Sequence, residues 1–140
     1  MFVLLGEGVA SLPETDDPAA DLVQAGVDVF RRLSITRPAL FEIGVRHTAV
    51  DPAIVHDFVP AAGEAWRILE IRFQRLKDAG GLPGRTTSAA AHHFNALCEG
   101  LVTMERRGSR SPKTARREWH DALSALLTGM AQPPESSPTR

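Results

Sequence analysis

A chain of 140 residues, 43% hydrophobic and 24% charged, has the balance of one globular domain with a sizeable core, which excludes a disordered or fibrous protein. Lys and Arg total 16 against 17 Asp and Glu, and a formal charge of -1 is too balanced for a protein that grips phosphates across its whole surface. The lone cysteine, Cys98, excludes an intramolecular disulfide and a Cys-based zinc site and suits a reducing cytosol.

The opening MFVLLGEGVASL has no basic start and carries Glu7, so it is a poor signal peptide. No apolar run approaches the roughly 20 residues of a membrane span. The expected location is the cytoplasm.

Helix signals fill the rest. Phe2, Leu5, Val9 and Leu12 fall at helical spacing until Pro13, and the segment starts at Met1 without a capping residue, as though cut into an existing helix. Asp17-Pro18 combines a capping carboxylate with a proline suited to the first turn, and Leu22, Ala25, Val29, Phe30 and Leu33 continue the stripe. Arg37-Pro38 sets a boundary before a short helix with Leu40, Phe41 and Val45. Asp51-Pro52 repeats the start signal for a segment with Ile54, Val55 and Phe58, which Pro60 is expected to break or kink.

Ala62, Trp66, Leu69, Phe73 and Leu76 predict a longer helix ending at Gly80-Gly81, where glycine takes the left-handed geometry. Thr86 or Thr87 caps the next, with Ala90, Phe94, Leu97, Leu101 and Met104, which stops at Gly108. Ser111-Pro112 opens the last, with Ala115, Trp119, Ala122, Leu123, Leu126 and Met130. The tail at 131–140, with three prolines and no apolar anchor, is expected to be disordered beyond a domain at 1–130. The fold class is an all-α bundle of about six to seven helices.

Chemical signatures are weak. His92 and His93 sit about 100° apart on a helix and lack a partner at i+3 or i+4, so the five histidines are taken as surface or pocket-lining residues and no metal or cofactor is expected. GGLPGRTT lacks the first glycine, the lysine and the preceding strand of a phosphate loop. Cys98 lies among apolar neighbours, as a small hydrophobe does. The basic run with Arg106, Arg107, Arg110, Lys113, Arg116 and Arg117 is expected to be a solvated interhelical loop, with local anion or nucleic-acid contact as the alternative. No catalytic grouping stands out, so no enzyme is expected. Phe30, Phe41, Phe58, Trp66, Phe73 and Phe94 serve either as plain core or as the lining of a cavity between helices.

The last two predicted helices, FNALCEGLVTMERRG and EWHDALSALLTGM, resemble the C-terminal helix pair of TetR-family transcription regulators. The resemblance rests on Phe94, Gly100, Leu101, Met104, Glu105 and Gly108, then Trp119, Leu123, Leu126 and Leu127. ITRPALFEI resembles a segment near the middle of the same domain, and with the helix order the similarity spans about residues 1–130. A subgroup of that family carries His-Gly where this chain has Glu99-Gly100, so no role of that histidine carries over.

The resemblance implies a homodimer in which the final two helices of each subunit form a four-helix interface. Leu97, Gly100, Leu101, Met104, Trp119, Ala122, Leu123 and Leu126 become its candidate residues, and the small residues Ala96, Gly100, Ala122 and Ala125 fit close helix approach. It also implies an effector pocket, with Phe30, Phe41, Phe58, Trp66 and Phe94 as candidates for a hydrophobic small molecule. Family members begin with a helix-turn-helix that has no counterpart here. The expected function is therefore the sensing and dimerisation module of a repressor-like regulator, with operator DNA a partner only through an upstream reader. The alternatives are a stand-alone heterodimerising anti-regulator and a ligand-binding helical module or small enzyme with no DNA role.

Overall fold

The computed structural model describes residues 1–45, 52–108 and 110–135; of Val45 and residues 52–58 it describes the backbone only. Six helices and no strand occur among the described residues. They are α1 (Phe2–Ser11), α2 (18–36), α3 (Pro38–Val45), α4 (Pro52–Asp78), α5 (Thr87–Arg107) and α6 (Pro112–Met130). None is long and apolar enough to cross a membrane.

Local chemistry sets most of the boundaries. The Asp17 carboxylate accepts from the Ala20 amide at 3.0 Å, Thr86 Oγ1 from Ala89 at 3.1 Å, and Ser111 Oγ from Thr114 at 3.2 Å. Each satisfies an amide that the first helical turn leaves without a partner. Gly80, at φ 81°, reverses the chain after α4 in a conformation that other residues reach only with strain.

Two features depart from the expected pattern. Pro60 lies inside α4 and does not break it, so the two predicted segments are one helix. A proline removes one backbone hydrogen bond, but the downstream stripe of Ala65, Leu69, Arg72, Phe73 and Leu76 is buried and holds the helix in register. The second departure is in α2. Between α-helical turns at Pro18–Gln24 and Arg32–Thr36, residues Ala25–Arg31 form a π-helix. The wider turn lets Ala25, Gly26, Val27, Val29, Phe30 and Arg31 all be buried, so α2 runs through the centre and packs against α1, α3, α4, α5 and α6. Phe94 of α5 sits at the heart of the core, edge-on to Phe30 at 5.8 Å and to Phe73 at 5.6 Å.

Three polar clamps tie helices that are distant in sequence. Arg72, 4% exposed, donates to the carbonyls of Val9, Leu12 and Pro13 at 2.8, 2.7 and 3.3 Å, satisfying the C-terminal end of α1. One turn on, Arg75 pairs with Asp21 of α2 at 2.9 Å. The Asp21 carboxylate also accepts from the Thr15 amide at 2.9 Å and the Thr15 hydroxyl at 2.7 Å. Arg31, 8% exposed, forks onto Glu105 of α5 at 3.0 and 2.8 Å, and the same carboxylate accepts from Trp119 Nε1 of α6 at 2.9 Å.

The tail begins tied down. Arg85 donates to the carbonyls of Met130 and Gln132 at 3.2 and 3.4 Å, and residues 136–140 lie outside the described residues.

Burial pushes the Asp21 carboxyl up, but the hydrogen bonds from Thr15 and the Arg75 charge outweigh it and hold it below its ordinary value. The folded state thus binds the Asp21 proton less readily than the unfolded chain. The stabilisation is complete above the ordinary aspartate range, near about pH 4, and is lost as pH falls through the lowered folded value. Asp21→Asn should therefore cost about 1–2 kcal/mol in urea unfolding at pH 7, and the gap to wild type should close on acidification. Glu105→Gln should cost about 2 kcal/mol, because it leaves the buried Arg31 charge without its counter-ion.

Candidate functional site

A cavity of about 150 Å³ opens between α1, α2, α3, α4 and α5. Its wall is mostly apolar: Leu5 and Val9 of α1, Ala62, Ala65 and Leu69 of α4, and the rings of Phe2, Phe30, Phe41 and Trp66. Asn95 and Glu99, one turn apart on α5, are the polar groups in it. The Asn95 amide donates to Glu99 Oε1 at 2.7 Å, which fixes both side chains side by side.

Three of the five aromatic candidates, Phe30, Phe41 and Trp66, line this cavity. Phe94 stands one layer behind Phe30 with no exposed surface, in plain core. The side chain of Phe58 lies outside the described residues. Trp66 is braced by Glu70, which accepts from its Nε1 at 3.2 Å, and by the His92 ring at 4.4 Å centroid distance. The contribution of α1, and of Asn95 and Glu99, was not foreseen. Phe2 and Glu99, in the same wall, lie 97 positions apart in the chain, and no local pattern marks a residue for such a place.

The second feature is the outward face of α5 and α6, which pack together as consecutive helices joined by a short loop. Ala96, Gly100 and Met104, at four-residue spacing on α5, are exposed, Met104 by 58%. Ala125 and Gly129 are exposed on α6, with Ala122 and Leu126 half-buried beside them. No atom lies within 4 Å of where a side chain would start on Gly100 or Gly129. Leu97 and Leu101 are half-buried against the core. Trp119 and Leu123 point the other way: at 1% and 0% exposure, both are covered within the chain itself.

Helix α2 joins the two features. Phe30 lines the cavity, the neighbouring Arg31 holds Glu105 next to Met104, and Gly26 lies against Leu123 of α6. A methyl group on Gly26 would come within 2.3 Å of Leu123 Cδ1 and 3.4 Å of Phe94 Cζ.

The remaining places are less suited to a ligand. A groove of about 720 Å³ between α2 and α6 is wide and shallow, floored by Ala20, Val23, Val27 and Leu127, and its Asp28 and Arg116 already pair at 2.8 Å. In the basic segment Arg106 faces Glu42 at 3.4 Å and Arg110 pairs with Glu118. Burial, and then the Glu99 charge, push the Cys98 thiol well above its usual range, so it stays protonated and unreactive. No group of three metal-ligating side chains occurs among the described residues, and His47 lies outside them, as does the side chain of His56. The search for relatives finds no matching family model, no matching curated protein and no matching solved structure.

Gly26→Ala tests the α2–α6 contact. Leu123 has no exposed surface to swing into, so overpacking of about 1–3 kcal/mol should exceed the gain of about 1 kcal/mol from replacing a helical glycine. The expected result is a melting midpoint several degrees lower, read by circular dichroism.

Proposed function

We propose that this chain is the effector-sensing and dimerisation module of a TetR-like transcription regulator. The observation that carries the reading is the placement of α2. One buried helix supplies a wall of an aromatic-lined cavity and, in the next residue, a charged fork onto the C-terminal helix pair. A ligand that moves Phe30 moves the backbone that positions Arg31, and with it the angle at which α5 and α6 present their outer face. That is the connection a sensor requires, because an effector acts only through a difference in affinity between two arrangements.

The outer face itself favours a second copy of the chain. The small residues Ala96, Gly100, Ala125 and Gly129 let helices approach closely, and Met104 and Leu126 supply apolar surface to cover. If an upstream helix-turn-helix exists, the spacing of the two DNA readers would follow the α5–α6 packing angle.

Sedimentation velocity at tens of micromolar should give a species of twice the 15.2 kDa chain mass. Gly100→Glu projects into open space in the single chain, so it should leave the circular dichroism spectrum unchanged and convert the dimer to monomer. A monomeric wild-type chain removes the dimerisation reading.

A further inference from the structure

The wall of the cavity carries a charge as well as rings. Glu99, half-buried, is the one ionisable side chain lining it, along with Phe2, Phe30, Phe41, Trp66 and aliphatic groups, and it also borders a polar groove on the outer side of α5. Its Oε1 is occupied by the Asn95 amide, a neutral donor, and among the described residues neither a Lys, Arg or His nor the α-ammonium of Met1, which also lines the cavity, forms an ion pair with it. Arg106 and Arg107 border Glu99 on the outer side of α5, but Arg106 is turned to Glu42 at 3.4 Å and neither forms an ion pair with Glu99. A carboxylate at the edge of an apolar space repels anions and rewards a cation that brings its own hydrogen-bond donors. Aromatic faces add to the attraction for such a cation.

We propose that the cavity binds a small organic ammonium ion, one compact aromatic or aliphatic body with its charged nitrogen against Glu99. The size follows from the volume, since about 150 Å³ is the scale of a cavity that accommodates a single benzene-sized molecule. The ring of such a ligand packs between Phe30, Phe41 and Trp66. Its N–H groups donate to the free oxygen of Glu99 and to the Asn95 carbonyl. The inference rests on the effector-pocket reading and gives it a ligand chemistry.

Three probes of matched size decide it by calorimetric titration of the full chain: benzylammonium, toluene and benzoate. Benzylammonium should bind at least about tenfold more tightly than toluene, which is a difference of about 1.4 kcal/mol, and benzoate should not bind. Methyl resonances of Ala62, Ala65 and Leu69 should shift with benzylammonium, placing it in the cavity. Glu99→Gln keeps the shape and the Asn95 bond, so it should remove the preference for benzylammonium and leave toluene unchanged. Benzoate binding as well as benzylammonium overturns the proposal whether or not the variant folds, and so does an unchanged preference in folded Glu99→Gln. Equal binding of toluene and benzylammonium overturns the cationic ligand but keeps the cavity as a binding site. Failure of all three probes overturns both this inference and the effector-pocket reading, while leaving the dimer to be judged by its own measurement.

Discussion

A helix packed against five others leaves little solvent for the polar groups on its buried side, and α2 is such a helix. Its apolar residues Leu22, Val23, Ala25, Val27, Val29, Phe30 and Leu33 are buried nearly without interruption. An α-helix of 3.6 residues per turn presents such a run to too many directions for one neighbouring helix to cover. The bundle answers by wrapping five helices around it, and the π-helical stretch Ala25–Arg31 resets the direction in which its side chains leave. The two charges that α2 carries into the interior are then met from outside: Asp21 by Thr15 and Arg75, Arg31 by Glu105. Removing either partner strands a buried charge, which is why these pairs specify the arrangement more strongly than an exposed pair such as Glu64–Arg67 does.

The features that could be read from sequence are those decided within a few residues. Asp17, Thr86 and Ser111 cap helices because each competes for an amide three positions away, and Gly80 turns the chain because of its own backbone freedom. Pro60 does not break α4, because propensity weighs one lost hydrogen bond, whereas burial along the rest of α4 decides whether the helix continues. The π-turn has no local signature, since nothing but the surrounding helices favours it.

The candidate site was legible to the same degree and for the same reason. Aromatic residues on helical faces mark either core or cavity, and only the third dimension separates Phe94, sealed behind Phe30, from Phe41 and Trp66 on the open side. The C-terminal pair shows the matching ambiguity. Trp119 and Leu123 belong to the stripe that faces inward, while Met104 and Ala125 face out. The polar pair Asn95 and Glu99 is the clearest gap, because a half-buried carboxylate looks like any surface glutamate in a one-dimensional pattern.

Glu105 and Glu99 show how one helix can serve two purposes. They lie six residues apart on α5, so they leave the helix in different directions. Glu105 is saturated: Arg31 and Trp119 occupy both its oxygens, and its charge is balanced inside the fold. Glu99 keeps one oxygen uncommitted beside the aromatic cavity. Structural stability gains more from the first arrangement than from the second, where a single neutral donor meets a carboxylate beside an apolar space. Binding a cation reverses that balance. Phe30 lines the same cavity as Glu99, and the residue after Phe30 grips Glu105. Under the proposed sensing role, occupation of one glutamate would reach the other through a single turn of α2.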